Sequence, residues 1–172
     1  MLRLAIVQLK PRKGELAENL ARLGEVFRGF AAEPEPPDLV VLPEAALTGY
    51  FLEGGVRQLA RTAEQLYATL SREHTAAKAL PFDIVVGFYE LWQTRLHNSA
   101  LVAGLGGPDA GIRHVHRKIF LPTYGVFDEE RFVEPGESVA ALDTAWCRAA
   151  VIICEDAGHS SVPTIAALDG AQ

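Results

Sequence analysis

Asp38-Leu39-Val40-Val41-Leu42-Pro43-Glu44 sets four consecutive apolar residues between an acid and a proline, with a glutamate just beyond. A run this short, β-branched at its centre and stopped by proline, predicts a buried strand. Upstream, Leu4-Ala5-Ile6-Val7 reads the same way. Between the two, Leu16, Leu20, Leu23, Phe27 and Phe30 recur at spacings of four, three, four and three. That places them on one face of a helix over about 15–32. Ala32-Glu33-Pro34-Glu35-Pro36-Pro37 cannot continue it and is a loop. Downstream, Val56, Leu59, Ala63, Leu66 and Leu70 repeat the helical spacing and predict a second helix over about 56–79. Strand, helix, strand, helix is the layout of βα units.

The pattern then changes. Residues 82–89, 99–103 and 112–116 read as consecutive strands, with Gly104-Leu105-Gly106-Gly107-Pro108 as the turn between the last two. Leu121 to Glu137 is a long loop rich in Pro, Gly and acids. A further strand is expected over 148–153 and a helix over about 161–168. Parallel βα units followed by hairpins imply an α/β fold with a mixed sheet. No internal repeat, low-complexity tract or interdomain linker is visible.

The chain has 172 residues, 49% of them hydrophobic and 22% charged, with a formal net charge of −6. This is a globular composition sized for one domain, and it excludes disorder, collagen and coiled coil. The acidic balance gives no reason to expect nucleic acid or an anionic membrane as partner. No apolar stretch approaches the roughly 18–20 residues a membrane span needs. The N-terminus lacks the features of a signal peptide. Two cysteines, Cys147 and Cys154, are too few for a disulfide scaffold. The expectation is a cytoplasmic protein with reduced thiols.

Three reactive residues stand just past strands: Glu44 after Leu39–Pro43, Lys118 after Ile112–Arg117, and Cys154 after Val151-Ile152-Ile153. Ligand sites in α/β sheets form beyond the carboxyl ends of strands. A cysteine between a strand and a polar turn that opens a helix sits in an elbow, exposed and faced by backbone N–H groups. An unperturbed thiol is only a few per cent ionised at neutral pH. It needs a base, for which Glu44 is suited, while Lys118 offers a fixed positive donor for an oxyanion. The competing reading of Cys154 is a buried structural thiol. Glu44 alone reads equally as a first-turn helix acid, and Lys118 alone as a solvated surface charge. Cys147, with no acidic turn behind it, reads as structural.

With their flanks, these residues resemble the three motifs of the nitrilase superfamily of carbon–nitrogen hydrolases. Leu42-Pro43-Glu44-Ala45-Ala46-Leu47-Thr48-Gly49-Tyr50 resembles the glutamate motif, His116-Arg117-Lys118-Ile119-Phe120-Leu121-Pro122 the lysine motif, and Ile153-Cys154-Glu155-Asp156 the cysteine motif. Leu4–Gln8 and Asn19-Leu20 fit the opening strand and helix, so the resemblance covers residues 1–172 as one domain. It implies a four-layer α-β-β-α sandwich and a Glu-Lys-Cys triad. Glu44 would be the general base, Lys118 would stabilise the tetrahedral intermediate, and Cys154 would attack the carbon, releasing ammonia or an amine from a small amide. The backbone N–H of Glu155 would help form the oxyanion hole. Many members carry a second glutamate before a Pro-Gly turn. Glu129, six residues before Pro135-Gly136, fits best, with Glu130 as the fallback.

Leu121–Phe132 is similar to the corresponding loop in the glutaminase domains of glutamine-dependent NAD synthetases and their free-standing relatives. No synthetase half is present in these residues, which favours a free-standing amidase over glutamine hydrolysis coupled to NAD synthesis. Tyr124, with Arg131 and Phe127, is a candidate lining of the substrate pocket. No cofactor and no metal are implied, and a homo-oligomer, a dimer or larger, is expected. Two departures stand out. Gly158 replaces a bulky aromatic that often follows the acidic pair, and the family's later strands are absent, so the C-terminal side reads as truncated. Three alternatives remain at this stage: a Cys-His hydrolase using His159 or His116, a zinc site from Cys154, Asp156, His159 and the His114-x-His116 pair, and an inactive fragment or interaction module.

Overall fold

The computed structural model describes residues 1–50 and 55–172. Its main body is a five-stranded sheet in the order β1-β2-β3-β4-β5. β1 (Leu4–Ile6), β2 (Leu39–Val41) and β3 (Phe82–Trp92) run parallel; β4 (Arg95–Leu105) and β5 (Gly111–Arg117) add antiparallel partners. The mixed sheet is therefore as the sequence pattern implies.

Helix α1 (Leu16–Ala32) follows its apolar spacing, with Leu23 and Phe27 fully buried. The second helical stretch differs from expectation. It divides into α2 (Val56–Leu59) and α3 (Ala63–Ala77). Between them, Arg61 runs extended beside β3: its N–H donates to the Tyr89 carbonyl at 3.1 Å and its carbonyl accepts from Leu91 at 2.9 Å. Thr62 and Gln65 then form a reciprocal capping box that starts α3 afresh. Leu66 and Leu70 of α3 join Leu23 and Phe27 of α1 against Phe82, Ile84, Val86, Leu101, Ala103 and Leu105 of the sheet. This is the core. The alternate residues of β1 face the other way, with Leu4 and Ile6 exposed.

Beyond the sheet, β6 (Ala141–Asp143) pairs antiparallel with β7 (Arg148–Ala150), and α4 (Ser161–Leu168) follows. Helices, five-stranded sheet, two-stranded ladder and helix give the α-β-β-α order. β7 is shorter than the strand expected over 148–153. Val151, Ile152 and Ile153 lie outside any ladder, and Ile153 is instead tied to the turn after it.

Candidate active site

Glu44 lies just past β2. The chain still follows β3 there: Leu42 N–H donates to Val85 at 2.9 Å and Ala46 N–H to Gly87 at 3.1 Å, with Ala45 in the left-handed region (φ 49°). Gly87 makes this approach possible. A Cβ on it would lie 2.7 Å from the Glu44 Cα and 2.8 Å from both the Ala45 nitrogen and the Pro43 oxygen, all backbone atoms that cannot swing aside.

Lys118 lies just past β5. Its N–H donates to the Asn98 carbonyl at 2.9 Å, and its own carbonyl accepts from Gly136 at 2.7 Å. The preceding Arg117 is anchored on the helix-facing side. It pairs with buried Glu90 at 2.7 Å, and its guanidinium lies 3.8 Å over the Trp92 ring. Neighbouring residues of a strand project to opposite faces, so clamping Arg117 on one face directs Lys118 to the other.

There Lys118 is fully buried and meets two carboxylates. Its ammonium donates to Glu44 Oε1 at 2.9 Å and to Glu129 Oε2 at 2.7 Å. Glu129 opens a short 3-10 turn, Glu129–Arg131, and is buried, whereas Glu130 beside it is exposed. Asn98, in the middle of β4, completes the cluster by donating from Nδ2 to both Glu44 Oε1 (2.6 Å) and Glu129 Oε1. Burial opposes the charge on Lys118, but hydrogen bonds to Glu129 and Glu44 outweigh it and hold the ammonium above the ordinary lysine range. Tyr50 adds its ring, 5.7 Å from the Lys118 nitrogen. Burial first, and then the Glu129 carboxylate, push its hydroxyl far up, so it stays a neutral phenol.

Cys154 lies on the opposite side, at the first position of a 3-10 segment, Cys154–Gly158. It adopts φ 47°, a left-handed conformation uncommon for a residue with a side chain, and its thiol is exposed. Cys154 thus opens a turn, as the sequence implies, but no strand leads directly into it, since residues 151–153 lie outside any ladder. Burial pushes the thiol pKa up, the Glu44 carboxylate raises it further, and Lys118 partly offsets them. The Glu155 N–H also acts on the sulfur, favouring thiolate. Acid, amine and thiol from three separate segments thus converge.

Asp156 joins the two sides. One carboxylate oxygen accepts from the Ile119 and Phe120 N–H groups at 3.0 and 2.9 Å, the other from His116 Nε2 at 2.9 Å and the Ile153 N–H at 3.2 Å. Burial works against the charge, but these donors hold the carboxyl below the usual carboxylate range. His159 stacks on Phe120 at 3.7 Å, and Tyr124 donates to Glu155 at 2.6 Å. Phe127 packs edge-on against both Tyr50 and Tyr124, while Arg131 is exposed and pairs loosely with Asp128 at 3.7 Å. Gly158 is exposed, and a Cβ there would meet nothing within 4 Å, so a side chain at this position would stand in open space.

Asn98, Gly87 and the linking role of Asp156 were not anticipated. The one available signal for Asn98 is the polar trio His97-Asn98-Ser99, buried within an otherwise apolar strand. His114 and His116 do share a face of β5, opposite Val102 and Ala100. His116 Nε2 is committed to Asp156, and His159 is held between Phe120 and Glu155. Among the described residues, no group of three or more His, Cys, Asp and Glu side chains is placed to hold a metal ion. No helix among them is long and apolar enough to cross a membrane.

The sequence profile of the carbon-nitrogen hydrolase family matches residues 3–172. The glutamine-dependent NAD(+) synthetase of Thermotoga maritima is 34% identical over 164 residues, 95% of this chain and 27% of that protein. An (R)-stereoselective amidase of a Pseudomonas species is 31% identical over 157 residues, 90% of this chain and 52% of the amidase. Among solved structures, the carbon-nitrogen hydrolase of Helicobacter pylori G27 superposes with a TM-score of 0.81 at 20% identity, over 99% of this chain and 57% of that one. An amidase from Nesterenkonia sp. gives 0.78 at 20% identity, over 99% and 62%. The chain thus spans about a quarter of the synthetases' length and about half of the amidase's. With its fold and profile in agreement along nearly its whole length, the chain belongs to the carbon–nitrogen hydrolase family.

Proposed function

We propose that residues 1–172 form the part of a carbon–nitrogen hydrolase domain that bears the catalytic residues, and that they hydrolyse a small amide through Cys154. The observation that carries this reading is the convergence of the Glu44–Lys118–Glu129 cluster on the Cys154 elbow. As the Cys154 sulfur bonds to the carbonyl carbon, its proton passes to Glu44. The oxyanion that develops is held by the Lys118 ammonium and the Glu155 N–H. The carbon–nitrogen bond then breaks, and the proton on Glu44 goes to the departing ammonia or amine. Water attacks the thioester, giving a proton to Glu44. The carbon–sulfur bond breaks, the acid leaves, and the proton returns to the sulfur. Glu129 keeps Lys118 charged and in place, and Tyr124, hydrogen-bonded to Glu155, lines the substrate pocket.

A base is needed because the resting thiol is neutral: its pKa is raised, not lowered. Such a site suits an amide carbonyl, whose attack develops a full oxyanion. The likeness to an amidase and to glutamine-dependent NAD(+) synthetases supports amide chemistry and leaves the side chain of the substrate open. The test is ammonia release from glutamine, asparagine, short aliphatic amides, ω-amides of keto acids and N-carbamoyl compounds, with Cys154→Ala as control. Cys154-dependent release from one class establishes the function and names the substrate. Well-folded protein that releases none overturns it in favour of a non-catalytic module. Light scattering during the same work tests the expected homo-oligomer.

A further inference from the structure

Of the four oxygens on Glu44 and Glu129, three are held by Lys118 or Asn98. Glu44 Oε1 accepts from both, at 2.9 and 2.6 Å; Glu129 Oε2 accepts from Lys118 at 2.7 Å, and Glu129 Oε1 accepts from Asn98. Glu44 Oε2 is the oxygen that neither donor holds. The orientation of the Asn98 amide follows from its neighbours, because turning it over would set Oδ1 against two carboxylate oxygens. Its Oδ1 is buried without a partner among the described residues. A buried asparagine that only filled space would satisfy both ends of its amide. This one leaves its acceptor unused and spends its donor on two acids.

We propose that Asn98 is a positioning residue that pins Glu44 by Oε1, leaves Oε2 to take the Cys154 proton, and locks Glu129 as an anchor in place of a second base. The inference rests on the proposed function, since it names how the base of that reaction is aimed. One donor on a carboxylate oxygen allows the group to pivot. Two donors from different strands, Lys118 past β5 and Asn98 within β4, fix it. The charged and titratable groups facing Glu44 are Lys118, Glu129, Tyr50 and Cys154, and Asn98 is the neutral donor among them.

The experiment compares Asn98→Ala with the unaltered chain by two readouts. One is the pH profile of amide hydrolysis. The other is the pH dependence of Cys154 alkylation by iodoacetamide, followed by mass spectrometry, which needs no substrate. Loss of aim is expected to lower kcat by about 10- to 100-fold with little change in KM. Loss of a donor to a carboxylate moves the acid limb of the profile up. The alkylation midpoint also moves up, because the Glu44 charge facing the thiol is less neutralised. If both pH profiles superimpose on those of the unaltered chain, and lost activity tracks only the folded fraction, Asn98 merely packs and the proposal falls. If the unaltered chain hydrolyses no amide, the proposed function fails, while the alkylation comparison still decides the role of Asn98. Asn98→Ser, smaller and polar, carries the same readouts should the alanine variant not fold.

Discussion

The two sides of the site are built on opposite principles. On the sheet side, Lys118, Glu129 and Asn98 are at most 5% exposed and hold Glu44 through a closed set of hydrogen bonds. On the other side, Cys154 is exposed and Tyr124 is 58% exposed, at the end of a segment outside any ladder. Charges can be held in fixed geometry where packing is dense and water is excluded, and there they interact strongly. Under the proposed function, the nucleophile must instead meet a substrate arriving from solvent. The arrangement separates the two demands, with Asp156 as the strut between them.

If the sheet side is the rigid one, removing its central charge should have the largest effect. Lys118→Met leaves buried Glu129 and half-buried Glu44 facing each other without the ammonium between them. Breaking a buried ion pair by deleting one partner costs about 3–5 kcal/mol, and losing the oxyanion donor of the proposed reaction costs about 10²–10³ in kcat. Urea unfolding and amide turnover read the two effects separately. Unchanged stability would mean the buried side is looser than its hydrogen bonds indicate.

Asp156→Ala should act on the strut. It strips the acceptor from three N–H groups and from His116. Leaving a buried donor unsatisfied costs about 1–3 kcal/mol for each group that water cannot reach. Turnover should fall because the elbow shifts relative to an intact Glu44–Lys118 pair. The sign with pH follows from the lowered Asp156 pKa. Its stabilisation is fully present above the ordinary value near 3.8 and is lost as pH falls below that through the folded value. Acid unfolding of the variant should therefore lose part of the steepness seen in the unaltered chain below about pH 4. A variant with the same acid transition would remove Asp156 as the link.

Gly87→Ala probes the close approach under Glu44. The added methyl meets only backbone, so the segment 43–45 must move, at about 1–3 kcal/mol. Thermal melting gives the cost and kcat reports the displacement of Glu44. A neutral result would show that this segment can retreat from β3.

Much of this was legible in the sequence, for identifiable reasons. Apolar spacing revealed α1 and the strands of the five-stranded sheet because one face of each lies against a single core. The same spacing concealed the break between α2 and α3. Both pieces keep one helical phase, while the interruption comes from Arg61 pairing with β3, a contact between residues far apart in the chain. Thr62-x-x-Gln65 was the local sign of it. Glu44, Lys118, Cys154 and Glu129 came from motifs with recognisable flanks. Asn98 has no such flank. Its meaning lies in facing two acids from 54 and 31 residues away.

The smallest expected effect is also the sharpest test of how the sides communicate. The raised Cys154 thiol owes part of its shift to the Glu44 charge, with Lys118 opposing. Glu44→Gln removes that negative charge without changing shape. The midpoint for Cys154 alkylation should then move down, by a fraction of a pH unit to about one unit. Lys118→Met should move it up. Opposite shifts from two residues that touch each other would show that the thiol senses each charge separately. Equal or absent shifts would mean that burial alone sets the thiol.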